Sequence, residues 1–534
     1  MLPHRFPTYR SAILGRNGMV ATSQPLASQA GLEMLRKGGN AIDAAIATIA
    51  TMCVVEPCST GIGGDAFALI WSAKEQKLYG INGSGPAAAS LNADAIRAAG
   101  HQKFPPLGGL AVTVPGSIRA WELAMSKFGS LGLDTVLAPA IDYAANGYAV
   151  SPIIAWSWQK SEKKMSRLAD SQRVWLPNGR APKMGEVFAN PEFAQTLRTL
   201  ANKGYDAFYH GDIAAQIAKA VQDDGGDLTE ADLAQYEAEW VEPISADYTN
   251  SAGETYTLHE IPPNGQGLTA LIALNIVDGI DLPKLGWGSA DYWHVLIEAT
   301  KLAFADAHAF ICDPKKADIP LDTLLSKSYA AGRRALITDR VAQPCLPGNP
   351  WQRGDTVYLT TADAEGNMVS WIQSLYMGFG SGITAGTTGI QLQNRGANFS
   401  LEVGHPNEAA GSKRPYHTII PGFLTKNGQA YSSYGVMGGF MQPQGHLQVG
   451  LNMVEFGMDA QQALNAPRFQ WSEGMQVSME LGIPIHDLAR YGHIVNPKPY
   501  PIHYGGGQSI VRNADTGVLI GGTEPRKDGI VAAY

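Results

Sequence analysis

The stretch GDTVYLTTADAEGNMVSWIQSLYMGFGSG, residues 354–382, decides the fold. Two runs rich in β-branched and aromatic residues, 356–361 and 368–375, read as short strands, and the Asp/Gly/Asn cluster between them reads as a turn. Thr356 opens the first run. Taken alone, it is a β-branched strand residue. A hydroxyl at a free chain terminus would be something else, because an adjacent α-amine, with an ordinary pKa of about 7.7–8.0, can take its proton.

Strand signals continue downstream at 389–393, 417–424, 430–437 and 508–512, with a helix over 446–456. Upstream, the pattern inverts. LEMLRKGGNAIDAAIATIATMCVV, residues 32–55, ends one helix at Gly38-Gly39 and begins a long alanine-rich one that Asn40 can cap. EPCSTGIGGDAFALIW, residues 56–71, runs from turns into a strand, 78–85 adds a short apolar-to-glycine transition, and 110–115 resembles a buried strand. Helices are expected at 117–128, 133–147, 190–202, 211–222, 229–236 and 292–310, the fifth with an imperfect capping box in which Asp232 replaces Glu or Gln. A strand, a Pro/Gly turn and a helix are expected from 255 to 277. The whole reads as α+β, with a sheet-rich carboxy-terminal part packed against helices and further strands from the amino-terminal part.

Of the 534 residues 45% are hydrophobic and only 16% charged, enough for a large core and unlike a disordered chain. A net charge of -8, with no basic run interleaved with aromatics, excludes general attraction to nucleic acid or anionic lipid. Cys53, Cys58, Cys312 and Cys345 form neither a disulfide framework nor a metal-ligand spacing. Asp65, His308, His405 and His446 make no recognisable ligand motif, and the glycines at 61–64 no dinucleotide fingerprint, so no metal or cofactor is expected. Residues 1–27 lack the apolar core of a secretory signal, and no apolar stretch has transmembrane length. A cytoplasmic protein without a membrane partner is the expectation, periplasmic or secreted if a leader has already been removed.

Together with GGNAIDAAIA from Gly38, GIGGDAF from Gly61, AVTVPG from Ala111, NAPRF from Asn465 and a closing GGTEPRKDG, the Thr356 segment carries a resemblance over nearly the whole chain. The chain resembles the γ-glutamyltransferase, or glutathione hydrolase, family of N-terminal-nucleophile hydrolases, and most of all its γ-glutamyltransferase-like or cephalosporin-acylase branch. The resemblance implies a four-layer αββα sandwich. It also implies a precursor that breaks its own bond between Asp355 and Thr356, giving segments 1–355 and 356–534 that stay associated as one catalytic unit, with dimerisation of that unit open. Thr356 would then be nucleophile and base, Ser374 would orient it, and the backbone N–H groups of Gly438 and Gly439 would form the oxyanion hole. Cleavage of γ-glutamyl amides such as glutathione, with water or an amino acid as acceptor, is the activity implied first. An acylase acting on glutaryl or other carboxylated amides is the alternative.

The substrate pocket departs from the γ-glutamyl-selective pattern. Asn82 stands where an arginine clamps the substrate α-carboxylate, and cannot supply its bidentate, charge-assisted pairing. Tyr376 replaces an asparagine, Arg395 a glutamine, Asn398 the aspartate that faces the substrate ammonium, and His417 and Thr418 a pair of serines. FSLEVGHPNEAAGSKRP, residues 399–415, is shorter than the lid-bearing connection of the family, which favours an open cleft and bulkier acyl groups. These changes retain amide chemistry while loosening glutamyl selectivity.

Overall fold

A computed structural model describes residues 10–341, 355–480, 483–498 and 504–534. Two seven-stranded sheets organise it. The first runs Ile530–Ala533, Gly18–Thr22, Asp355–Asp363, Met368–Tyr376, Asp65–Ser72, Lys77–Gly83, Glu239–Val241. The second runs Ile13–Gly15, Leu519–Thr523, Gly506–Arg512, Gln429–Met437, Gly422–Lys426, Thr255–Glu260, Ile244–Thr249. Every pairing within the two sheets is antiparallel.

The pleat explains how these strands build layers, because alternate side chains leave opposite faces. Met19, Ala21, Phe67, Leu69, Tyr358 and Ile372 of the first sheet meet Phe423, Met437 and Ile510 of the second in one apolar layer. Their neighbours Val20, Ala68, Val357 and Leu359 point the other way, into a cluster with the helix Ala41–Val55. On the far side, Leu258, Leu424, Tyr434 and Val436 pack against the helices Gly267–Val277, Ala290–Phe310 and Met441–Val454. The order is helix, sheet, sheet, helix, the αββα sandwich that the resemblance implies. A sheet covered on both faces has no polar side, which is why all eight residues of Asp65–Ser72 are buried.

Asn40 caps the fully buried helix Ala41–Val55, its side chain accepting from the Ile42 and Asp43 N–H groups while Asp43 accepts the Asn40 N–H. The Thr229 box is equally complete, with Asp232 reaching back to the Thr229 N–H, so the shorter acid serves. Two expected strands are absent. Residues 110–115 enter a 3-10 turn at Gly109–Ala111, and the sheet edge beyond Lys77–Gly83 is taken by Glu239–Val241. Residues 389–393 make only isolated bridges, from Gln391 and Leu392. Cys53, Cys58 and Cys312 are buried free thiols, and Cys345 lies outside the described residues. Among the described residues no helix is long and apolar enough to cross a membrane.

Candidate active site

Thr356 sits where the pairing of its strand slips. Asp355 opposes Tyr376 and Val357 opposes Gln373, so Thr356 faces both Ser374 and Leu375 across a bulge in the neighbouring strand. The bulge brings the two hydroxyls together: Thr356 Oγ1 donates to Ser374 Oγ at 3.2 Å, and Ser374 Oγ also accepts the Tyr376 N–H at 2.7 Å. Tyr376 has φ +78°, a left-handed conformation unusual for a bulky side chain, and its ring is buried.

The Tyr376 ring carries the Arg395 guanidinium 4.5 Å from its centroid. Arg395 begins the short turn Arg395–Asn398 and is fully buried. Its Nη1 donates to Thr418 Oγ1 at 2.7 Å, whereas Nε and Nη2, also buried, have no partner. These two nitrogens form the side of the guanidinium that grips a carboxylate with two parallel hydrogen bonds. Burial lowers the group to about 10, against the opposing influence of the Asp65 and Tyr376 charges. Nearby, the buried Asn398 Nδ2 also lacks an acceptor.

Asp65 supplies the compensating charge without touching the guanidinium's open side. Its Oδ1 accepts the N–H groups of Gly85 and Gly116, each at 3.1 Å, and Gln393 Nε2 at 3.0 Å. Its Oδ2 lies 3.0 Å from His417 Nε2. Burial pushes the carboxyl up to about 7, opposed by Arg395 and these donors. Burial and the two nearby arginines, Arg395 and Arg414, hold His417 well below the ordinary histidine value, so it is a neutral ring donating through Nε2 and leaning on Phe67. His417 therefore braces Asp65 and places Thr418 beside Arg395.

Gly438 and Gly439 close the strand Gln429–Met437 and precede the helix Met441–Val454, with φ of +130° and +61° that only glycine adopts without strain. The Gly438 carbonyl accepts the Met441 N–H and the Gly439 carbonyl the Gln442 N–H, each at 3.1 Å. Because the peptide is planar and trans, fixing the Gly438 carbonyl toward the helix turns the Gly439 N–H away from it.

Gln266 joins the two halves. Its buried Nε2 donates to the carbonyls of Thr418 and Gly439, the latter at 2.9 Å, and its Oε1 accepts the Tyr416 hydroxyl at 3.0 Å. A continuous series of contacts thus runs from Thr356 through Ser374, Tyr376, Arg395, Thr418 and Gln266 to Gly439. Asn82 lies apart from Arg395: its Nδ2 donates to Asn264 Oδ1 at 3.1 Å and its Oδ1 accepts the Ser84 N–H and hydroxyl. Asn264 in turn accepts the His417 N–H at 2.9 Å, so Asn82 supports the site from behind. Gln266, Asn264 and Gln393 escaped the sequence reading, and Asp65 entered it only as a residue outside any metal-ligand motif. An acid inside an apolar strand run was a signal for Asp65, whereas Gln266 in a Pro/Gly turn had none.

Two facing sheets between helix layers, with a threonine hydroxyl at the bulged start of a central strand, define an N-terminal-nucleophile hydrolase acting on amide bonds. The chain belongs to the gamma-glutamyltranspeptidase family, whose sequence profile matches residues 27–534. The crystal structure of cephalosporin acylase from Bacillus halodurans superposes with a TM-score of 0.93 at 48% identity, over 100% of this chain and 99% of that one. The glutathione hydrolase-like YwrD proenzyme of Bacillus subtilis (strain 168) is 38% identical over 532 residues, 97% of this chain and 98% of that protein. The acylase ACY 1 proenzyme of Pseudomonas sp. (strain SE83) is 34% identical over 535 residues, 97% of this chain and 94% of that protein.

Proposed function

We propose that the chain is a self-processing precursor of an acylase that removes carboxylate-bearing acyl groups, of the glutaryl kind, from amides. The observation that carries this reading is the open edge of Arg395, two buried donor nitrogens with no acceptor among the described residues. Leaving such donors unsatisfied costs on the order of 1–3 kcal/mol, more for a charged group, and a substrate carboxylate would offset that cost. The 48% identity with a cephalosporin acylase supports the same reading. A γ-glutamyl donor fits less well. Its ammonium would enter beside a buried cation, and the nearby acid, Asp65, is already held by four donors.

In the precursor, Thr356 Oγ1 attacks the Asp355 carbonyl carbon and the C–N bond breaks. The hydroxyl proton passes to the departing Thr356 nitrogen, which becomes the free amine, and water then hydrolyses the ester to an Asp355 carboxylate and the restored Thr356 hydroxyl. In the mature enzyme that amine takes the hydroxyl proton as Oγ1 attacks the substrate amide. The tetrahedral oxyanion is stabilised by the N–H groups of Gly438 and Gly439. The ammonium returns its proton to the leaving amine, and a water deprotonated by the same amine releases the acid. Ser374 holds the threonine hydroxyl in line throughout.

Intact mass, amino-terminal analysis and a panel of glutaryl, γ-glutamyl and butyryl amides test this. The expected result is a new terminus at Thr356 and highest kcat/KM on the glutaryl amide, both lost in Thr356→Ala. A folded chain that stays whole and inert removes the mechanism, and a preference for γ-glutamyl donors removes the acyl assignment alone.

A further inference from the structure

Outside this site, three buried side chains with metal-ligating atoms converge. His294 and Glu298 stand one turn apart on the same face of the helix Ala290–Phe310. His493, just ahead of the strand Ile494–Pro497, reaches them from another element. One ligand atom from each lies within 4.8 Å of the other two, and all three residues are buried.

The hydrogen bonds show which nitrogens could serve. His294 Nε2 lies 2.6 Å from the Thr338 carbonyl, which can only accept, so the proton is on Nε2 and Nδ1 presents a lone pair. A backbone carbonyl on the outer nitrogen is a common second partner of metal-bound histidine. Tyr491 stacks on the ring at 4.1 Å and sets its plane. His493 Nε2 faces His294 Nδ1 at 2.9 Å, donating the proton between them. Its Nδ1 is buried without a partner. That vacant nitrogen can take the proton, which frees Nε2 to ligate.

We propose that His294, His493 and Glu298 bind one divalent cation of the zinc class. Two nitrogens and one carboxylate oxygen suit zinc, with water as a fourth ligand. Nitrogens at about 2.0–2.1 Å from a tetrahedral ion stand roughly 3.3 Å apart, so the pair opens slightly from its present separation. Glu298 would bind while remaining next to Lys301, which donates to its Oε1 at 2.7 Å. The position suggests a clamp. Thr338 and Val341, whose N–H donates to the Tyr491 carbonyl at 2.8 Å, belong to the segment leading toward residue 355, and the ion would fasten it to the region around residue 493.

The full-length protein, stripped with chelator, is titrated with zinc alone by calorimetry and with cobalt alone by visible spectroscopy. The proposal expects one equivalent of zinc, tetrahedral cobalt bands, and a loss of affinity in His493→Ala and Glu298→Gln exceeding the roughly 10–100-fold cost of removing an outer-shell partner. It is overturned if the wild type takes up neither metal, or if both variants bind as tightly as the wild type. Where a variant does not fold, the cobalt spectrum of the wild type decides, since it reports nitrogen ligation directly.

Discussion

Arg395 is a buried cation with one of its three donor nitrogens in use, and the size of the expected effects follows from that. Charge-assisted hydrogen bonds contribute about 1.5–3 kcal/mol each, so losing the two of them in Arg395→Gln should lower kcat/KM for a glutaryl amide by about 150-fold or more and leave a butyryl amide nearly unchanged. Arg395→Lys should not restore the loss, because an ammonium cannot make two parallel bonds. Loss of the proton removes the attraction for an anion. With the guanidinium lowered to about 10, KM for the glutaryl amide should stay level up to about pH 9 and climb through pH 10, while the butyryl amide shows no such rise. Steady-state kinetics on the two amides reads all three outcomes. The arginine itself is legible in the sequence, since LQNRGANF puts a charge in a stretch otherwise without one. Its open edge is not. That depends on which N–H meets Thr418, a residue 23 positions away that His417 and Gln266 hold in place.

At the level of elements, the strand pair around Thr356 works because a neighbouring loop fits closely behind it. A Cβ on Gly64 would stand 2.3 Å from the Ser374 carbonyl oxygen, and one on Gly63 2.2 Å from that of Gln391. Gly64→Ala should therefore move the strand carrying Ser374, destabilise the fold by about 1–3 kcal/mol and slow processing more than stability alone explains. Gly38→Ala is the control: φ is +88° and nothing lies within 4 Å, so it should cost about 1 kcal/mol and leave processing intact. Denaturant titration and the time course of chain cleavage separate the two. The sequence shows GIGGDAF as a turn entering a strand but not what the glycines approach, because Ser374 is more than three hundred residues away. Strands were legible where apolar runs were long, as in residues 356–376. Gly18–Thr22 and Ile530–Ala533 were missed, being short and, for the former, buried on both faces, so neither shows a decisive alternation. LAVTVP, residues 110–115, has strand composition, but the place beside Lys77–Gly83 is taken by Glu239–Val241.

Across the whole molecule, the bond proposed to break divides a sheet whose strands come from both sides of the cut. Asp355–Asp363 pairs with Gly18–Thr22 and with Met368–Tyr376, which pairs in turn with Asp65–Ser72. The other sheet is mixed in the same way, with Gly422–Lys426 against Thr255–Glu260 and Leu519–Thr523 against Ile13–Gly15. Segments 1–355 and 356–534 should accordingly travel as one species in gel filtration, part only in denaturant, and fail to regain activity when each is refolded alone before mixing. Co-elution lost under native conditions would refute the interleaving as the source of cohesion. The same weave sets a timetable for synthesis. Gly18–Thr22 leaves the ribosome before either of its partners, and Ile530–Ala533 follows it by more than five hundred residues. The sheet thus stays unfinished until Ile530–Ala533 has been made, and scission before then would leave the early half with nothing to fold onto. The proposed cleavage, made by the very pocket that the finished sheet creates, would contain its own delay.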